Sequence, residues 1–90
     1  MYGEQALWLY KRGVALGGLG RSSDAERDLR KSLASEGRKW VHGRAHLELG
    51  RLALKASQKT LATQELQTAI QLCDSDNDSA MANEARRLLK

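Results

Sequence analysis

Proline is absent from these 90 residues, phenylalanine is absent too, and there is a single cysteine, Cys73. With no proline to break a helix, and with β-branched residues reduced to Val14, Val41, Thr60, Thr63, Thr68 and Ile70, a sheet-built domain is disfavoured. The abundance of Ala, Leu, Arg, Lys, Glu and Gln favours helix throughout. One cysteine excludes an intramolecular disulfide, which fits a reducing compartment or a secreted protein that needs no bridge, and of these the cytoplasm is the expected location. Long apolar runs are missing as well. The longest uncharged apolar stretch, Gly13 to Gly20, is far too short to span a bilayer, and Tyr2, Gly3 and Glu4 do not open a secretory leader, so a soluble chain is expected. A chain of this length holds one domain with one core.

What the chain does have is a repeat. An offset of 37 residues lays Gly13 on Gly50, Ala25 on Ala62, Asp28 on Glu65, Leu29 on Leu66 and Leu33 on Ile70. A fixed period in this range marks a supersecondary unit used more than once. The first helix is expected from Gly3 to Gly17, ending where Gly17, Gly18 and Gly20 permit a tight turn. A second begins at Ser23, where Ser23 and Glu26 read as a capping box, and runs toward Gly37 with Ala25, Leu29, Ser32 and Leu33 on one face. The third opens near Trp40, with Ala45, Leu49, Leu52, Ala53 and Ala56 forming its apolar stripe. After a link at Ser57 to Lys59, a fourth is capped by Thr60 and buries Ala62, Leu66, Ala69, Ile70 and Cys73. The tract Asp74 to Asp78 then precedes a closing helix from about Ser79 to Lys90, whose Arg86, Arg87 and Lys90 suit the negative end of its dipole.

The pattern His46-x2-Leu49-Gly50-x2-Ala53, followed by Ala62-x3-Leu66 and Ala69-Ile70, resembles the tetratricopeptide repeat. Leu9-x2-Arg12-Gly13-x2-Leu16, then Ala25-x3-Leu29 and Ser32-Leu33, is similar in the same register. Met81-x2-Glu84-Ala85-x2-Leu88 resembles the start of a third unit or the solvating helix that closes such arrays. The expected aromatic residues are missing, Gly37 and Asp74 replace the closing proline, and the period exceeds the family's 34 by three residues. The resemblance implies an all-α, right-handed α-solenoid of antiparallel helix-turn-helix repeats: repeat one at about 3–37, repeat two at about 40–74, and the closing helix at about 79–90, in one domain spanning 1–90.

That geometry implies a concave groove lined by Tyr10, Val14, Arg44, Leu47, Arg51, Lys55 and Arg86, suited to a peptide or protein bearing carboxylates. The family's carboxylate clamp is not carried over, because its lysine and asparagine positions hold Tyr10, Val14 and Glu48 here. A bland alternative is that the charged stripe is only a solvated face. The net charge of +4 mildly favours acidic partners.

Other chemistry is poorly supported. His42 and His46 lack the glutamate of H-E-x-x-H and a completing ligand set. Asp74, Asp76 and Asp78 begin like a calcium loop, but Ser79 replaces its glycine and Ala85 its bidentate glutamate. The glycine cluster before the second helix has no phosphate-loop signature. No nucleophile is paired with a base, so a non-catalytic interaction module is the expectation, with no cofactor and no metal. Two alternatives stand beside it. One is a self-associating fragment of a longer array, or a homodimer, joined through Tyr2, Leu7 and Trp8 or through Leu88 and Leu89. The other, weaker one is nucleic-acid binding through Arg27, Arg30, Lys31, Arg38, Lys39 and Arg44, which lacks interleaved aromatics.

Overall fold

Helix-favouring composition interrupted at regular intervals by short turns yields five α-helices and no other regular element in the computed structural model, which describes residues 2–90. They are α1 (Glu4–Gly18), α2 (Ser22–Ala34), α3 (Lys39–Lys55), α4 (Lys59–Ser75) and α5 (Ser79–Leu89). Met1, the first residue of the expected domain, lies outside the description. Successive helices pack antiparallel, α1 on α2, α3 on α4 and α4 on α5, while α3 also contacts α1 and α2. The principal extents are 37 × 29 × 18 Å. The shortest admits two layers of helix, each about 10 Å across.

Three of the four turns share one device. A residue with positive φ ends the helix at Gly20 (79°), Ser57 (61°) and Asn77 (60°). The next residue's N–H then bonds a carbonyl five positions back: Arg21 to Leu16 at 2.9 Å, Gln58 to Ala53 at 2.8 Å and Asp78 to Cys73 at 2.8 Å. This closure satisfies carbonyls left free at a helix end. The first two turns stand 37 residues apart, so the period seen in the sequence is also a period of backbone geometry.

The same device corrects two expected caps. Ser23 and Thr60 are each the second residue of their helix; Arg21 and Gln58 hold the N-cap positions, and neither makes a side-chain cap. The three-residue turn closes so tightly that its last residue starts the next helix, which places the start one or two residues before the hydroxyl. The link from α2 to α3 is built differently. Ser35 and Arg38 are extended, and α2 stops at Ala34 rather than continuing to Gly37. The connection from α4 to α5 thus copies the turns inside the two helix pairs and not the link between them.

Small residues set the depth of packing. A methyl placed on Gly13 would lie 2.8 Å from Leu29 Cδ2, and one on Gly50 would lie 2.7 Å from Leu66 Cδ2. Both leucines are fully buried. Carbon atoms prefer about 3.5–4.0 Å, so these glycines are what allow α1 to approach α2 and α3 to approach α4. The core divides accordingly. Leu29, Ala45 and Leu49 pack with Tyr10, Leu33 and Leu52; Leu47, Leu66, Ala69 and Ala85 pack with Ile70, Met81, Leu88 and Leu89.

Candidate interaction surface

Position 28 and its repeat partner 65 place an acid inside each helix pair, and each acid needs a cation. Asp28, 2% exposed, accepts two hydrogen bonds from Arg12, Nε to Oδ2 at 2.5 Å and Nη2 to Oδ1 at 3.0 Å. That guanidinium holds the Asp28 carboxyl below its ordinary range against the opposing pull of burial. Glu65 is bridged by Arg30 at 3.2 Å and by His46 Nδ1 at 3.1 Å, which ties α2, α3 and α4 together.

Arg12 also stacks over Trp8, 4.3 Å from the ring centre, and Arg44 stacks over Trp40 at 5.2 Å. Both pairs have Trp-x3-Arg spacing, so the two side chains are neighbours one helical turn apart. Arg44 repeats the bidentate grip, Nε to Asp78 Oδ2 at 2.8 Å and Nη2 to Oδ1 at 3.2 Å, and thereby pins the start of α5 to α3. Burial raises the pKa of the nearby Tyr10 phenol against the opposing pull of Arg44.

One helical turn and more along α3, Arg51 Nη2 donates to Glu84 Oε2 at 2.9 Å, and its Nε lies 3.5 Å from Glu48 Oε1 as an ion pair without a hydrogen bond. Burial pushes the Glu48 carboxyl up, whereas Glu84 is held down, chiefly by two hydrogen bonds from Arg87. Two polar chains therefore cross the helices: Tyr10, Arg44, Asp78 and, beside it, Glu48, Arg51, Glu84, Arg87.

This arrangement brings together Tyr10, Arg44 and Arg51 from the residues expected to line a groove. Val14 is 37% exposed on α1, and Lys55 is exposed at the end of α3 with no ion pair among the described residues. Leu47 requires correction: at 1% exposed it belongs to the core beneath α4 and α5. Its neighbours in sequence misled the assignment, because α3 is covered by α4 on one side and α5 on another, and a position near the charged stripe falls under the second cover. Arg86 turns to Asp74 and Asn83 Oδ1, away from the partners of Arg51.

The acids Asp78 and Glu84 were missed as members of this surface. Their signal lay in separations of 34 and 33 residues from Arg44 and Arg51, legible only once α5 is placed beside α3. Arg44 and Arg51 are consequently not a free positive stripe. Each is already neutralised within the molecule.

The remaining candidates have separate engagements. His42 Nε2 lies 2.9 Å from the Ser35 carbonyl oxygen, while His46 bonds Glu65, so the two imidazoles serve different partners. Cys73 is fully buried against Gly43, and burial pushes its thiol up to about 11, which suppresses the reactive thiolate near neutral pH. Among the described residues no helix is long and apolar enough to cross a membrane. No family model, curated protein or solved structure matches the chain.

Proposed function

We propose that this domain is a non-catalytic interaction module, a short tetratricopeptide-like solenoid that takes a peptide or partner protein across α1, α3 and α5. The observation that carries the reading is the continuity of that surface. Arg44 with Asp78, and next to them Arg51 with Glu84, tie α3 to α5, and Tyr10 of α1 lies close to Arg44. Side chains that hold one another leave less conformational entropy to lose on binding. Because the arginines already carry acids, the partner is read by the shape of the surface, by the exposed Val14 and by the unpaired Lys55, rather than by a row of free cations.

The test is selection of peptides from a displayed library on the whole chain, followed by titration of those selected against Val14→Asp and Lys55→Glu. Both positions lie outside the core, so folding is retained and is checked by circular dichroism. A loss of about tenfold in affinity, or about 1.4 kcal/mol, is expected from each. Unchanged affinity for both variants removes this surface from the reading. Self-association is a second reading, favoured by the exposure of Trp8 (56%) on α1 and of Leu19 (75%) in the turn that follows it. Sedimentation equilibrium across protein concentration decides it: a monomer throughout rejects the dimer.

A further inference from the structure

The cations of this chain divide by type. Every arginine except Arg38 has an ion pair, and none of the six lysines has one among the described residues. Two of those lysines gather at one end of the molecule, where α4 begins and α5 ends. Lys59 and Lys90 are both exposed and line a cavity of about 270 Å³ there. The floor is Leu66 and the walls are Leu54, Leu88 and Leu89. Leu54 is 38% exposed. Among the described residues no aspartate or glutamate lines the cavity.

The equivalent crevice between α2 and α3 makes the contrast. Thirty-seven residues before Lys59 and Thr63 stand Ser22 and Glu26, and Glu26 already meets Arg30 at 3.5 Å. That crevice is self-neutralised; the one at the other end is apolar within and positive at its rim. Small-molecule sites usually occupy about 300–1,000 Å³, so this cavity is sized for one large side chain and not for a whole cofactor.

We infer that this cavity docks an acidic segment of a partner protein, one that seats a leucine-sized side chain on Leu66 while flanking carboxylates meet Lys59 and Lys90. The occupant is set by charge complementarity: an apolar group alone would leave the lysines unused, and a basic segment would be repelled. The site is separate from the α1, α3 and α5 surface proposed above, and it stands or falls independently.

The experiment is a titration of the whole, methyl-labelled protein, followed by NMR. Its probes are a blocked eight-residue peptide alternating leucine with glutamate, the same peptide with glutamine for glutamate, and decanoate. The expected result is saturable shifts of the Leu54, Leu66 and Leu88 methyl groups with the glutamate peptide. The glutamine peptide, and the double variant Lys59→Glu/Lys90→Glu, are each expected to bind about tenfold more weakly. Both lysines are exposed and without an ion pair among the described residues, so the variant folds, and Gln71→Lys on the exposed side of α4 serves as a control that leaves binding unchanged.

No methyl shift at millimolar peptide overturns the inference. So do shifts confined to Val14, equal binding of the glutamine peptide, or tighter binding of decanoate, which would make the site a fatty-acid crevice. Loss of the Val14 surface without loss of these shifts rejects the function proposed above and leaves this site standing.

Discussion

If Gly50 exists to let α3 approach α4, then adding one methyl there must cost stability, although alanine is the better helix former. The structure gives both terms. Replacing an interior helical glycine by alanine gains about 1 kcal/mol of helix propensity. The new Cβ in Gly50→Ala would lie 2.7 Å from both Cγ and Cδ2 of Leu66, nearly 1 Å inside normal contact. Leu66 is 1% exposed and packs with Leu47, Ala69 and Ala85, so it can move only toward the cavity it floors, and only by giving up those contacts. Overpacking of this kind costs about 1–3 kcal/mol. The net expectation is a loss of about 1 kcal/mol, or roughly 4–8 °C in Tm for a domain of this size.

Gly17→Ala supplies the opposite sign. Its Cβ would meet Ala25 Cβ at 3.8 Å and Leu52 Cδ2 at 3.9 Å, ordinary contacts that leave about 0.5–1 kcal/mol of gain. Urea unfolding of both variants, followed by circular dichroism with equal m-values, measures the difference. If Gly50→Ala is as stabilising as Gly17→Ala, close helix approach is not the reason for the repeated glycine.

Two further outcomes follow from turn and pair geometry. Ser57 adopts φ 61° where the first repeat has Gly20 at 79°, and a left-handed non-glycine residue costs about 1–2 kcal/mol, so Ser57→Gly should raise stability by about 1 kcal/mol in thermal unfolding while Gly20→Ala lowers it. Arg12 depresses the pKa of Asp28, so this pair's contribution is fully present above the ordinary aspartate value of about 3.9 and is lost as pH falls through the lower folded value. In Asp28→Asn, the fall of the urea midpoint between about pH 4 and pH 2 should be shallower than in the parent; an identical slope would show that Asp28 titrates alike in both states.

Much of the fold was legible along the chain because its signals are local. The spacing of Ala25, Leu29 and Ala62, Leu66 marks buried helix faces, and both sets are buried. Helix periodicity needs only neighbours within a turn or two. Helix starts were less legible: Ser23 and Thr60 carry the chemistry of caps, yet the closure at Leu16–Arg21 and Ala53–Gln58 outranks it. Turn geometry depends on φ at a single residue and on a carbonyl five positions back, and serine at position 57 announces neither.

The candidate surface was legible only in part. Val14, Arg44, Arg51 and Lys55 are outside the core and Tyr10 is half-buried against it, but Leu47 lies within it, and the ionic state of the arginines was hidden. Spacing on α3 places Arg44 and Arg51 on one side; it says nothing of Asp78 and Glu84, which arrive from a helix some 34 residues later.

By itself, then, the sequence determined a proline-free, all-helical chain with a 37-residue period, small residues at matched depths and a single unpaired thiol. Those properties follow from propensity and periodicity, which act over a few residues. Tertiary structure alone decided which charges remain free. It paired Arg12 with Asp28, Arg44 with Asp78 and Arg51 with Glu84, and it left Lys59 and Lys90 open around the cavity that Leu54 lines. The reason is that an ion pair depends on separation in space, which helix packing sets, and not on separation along the chain.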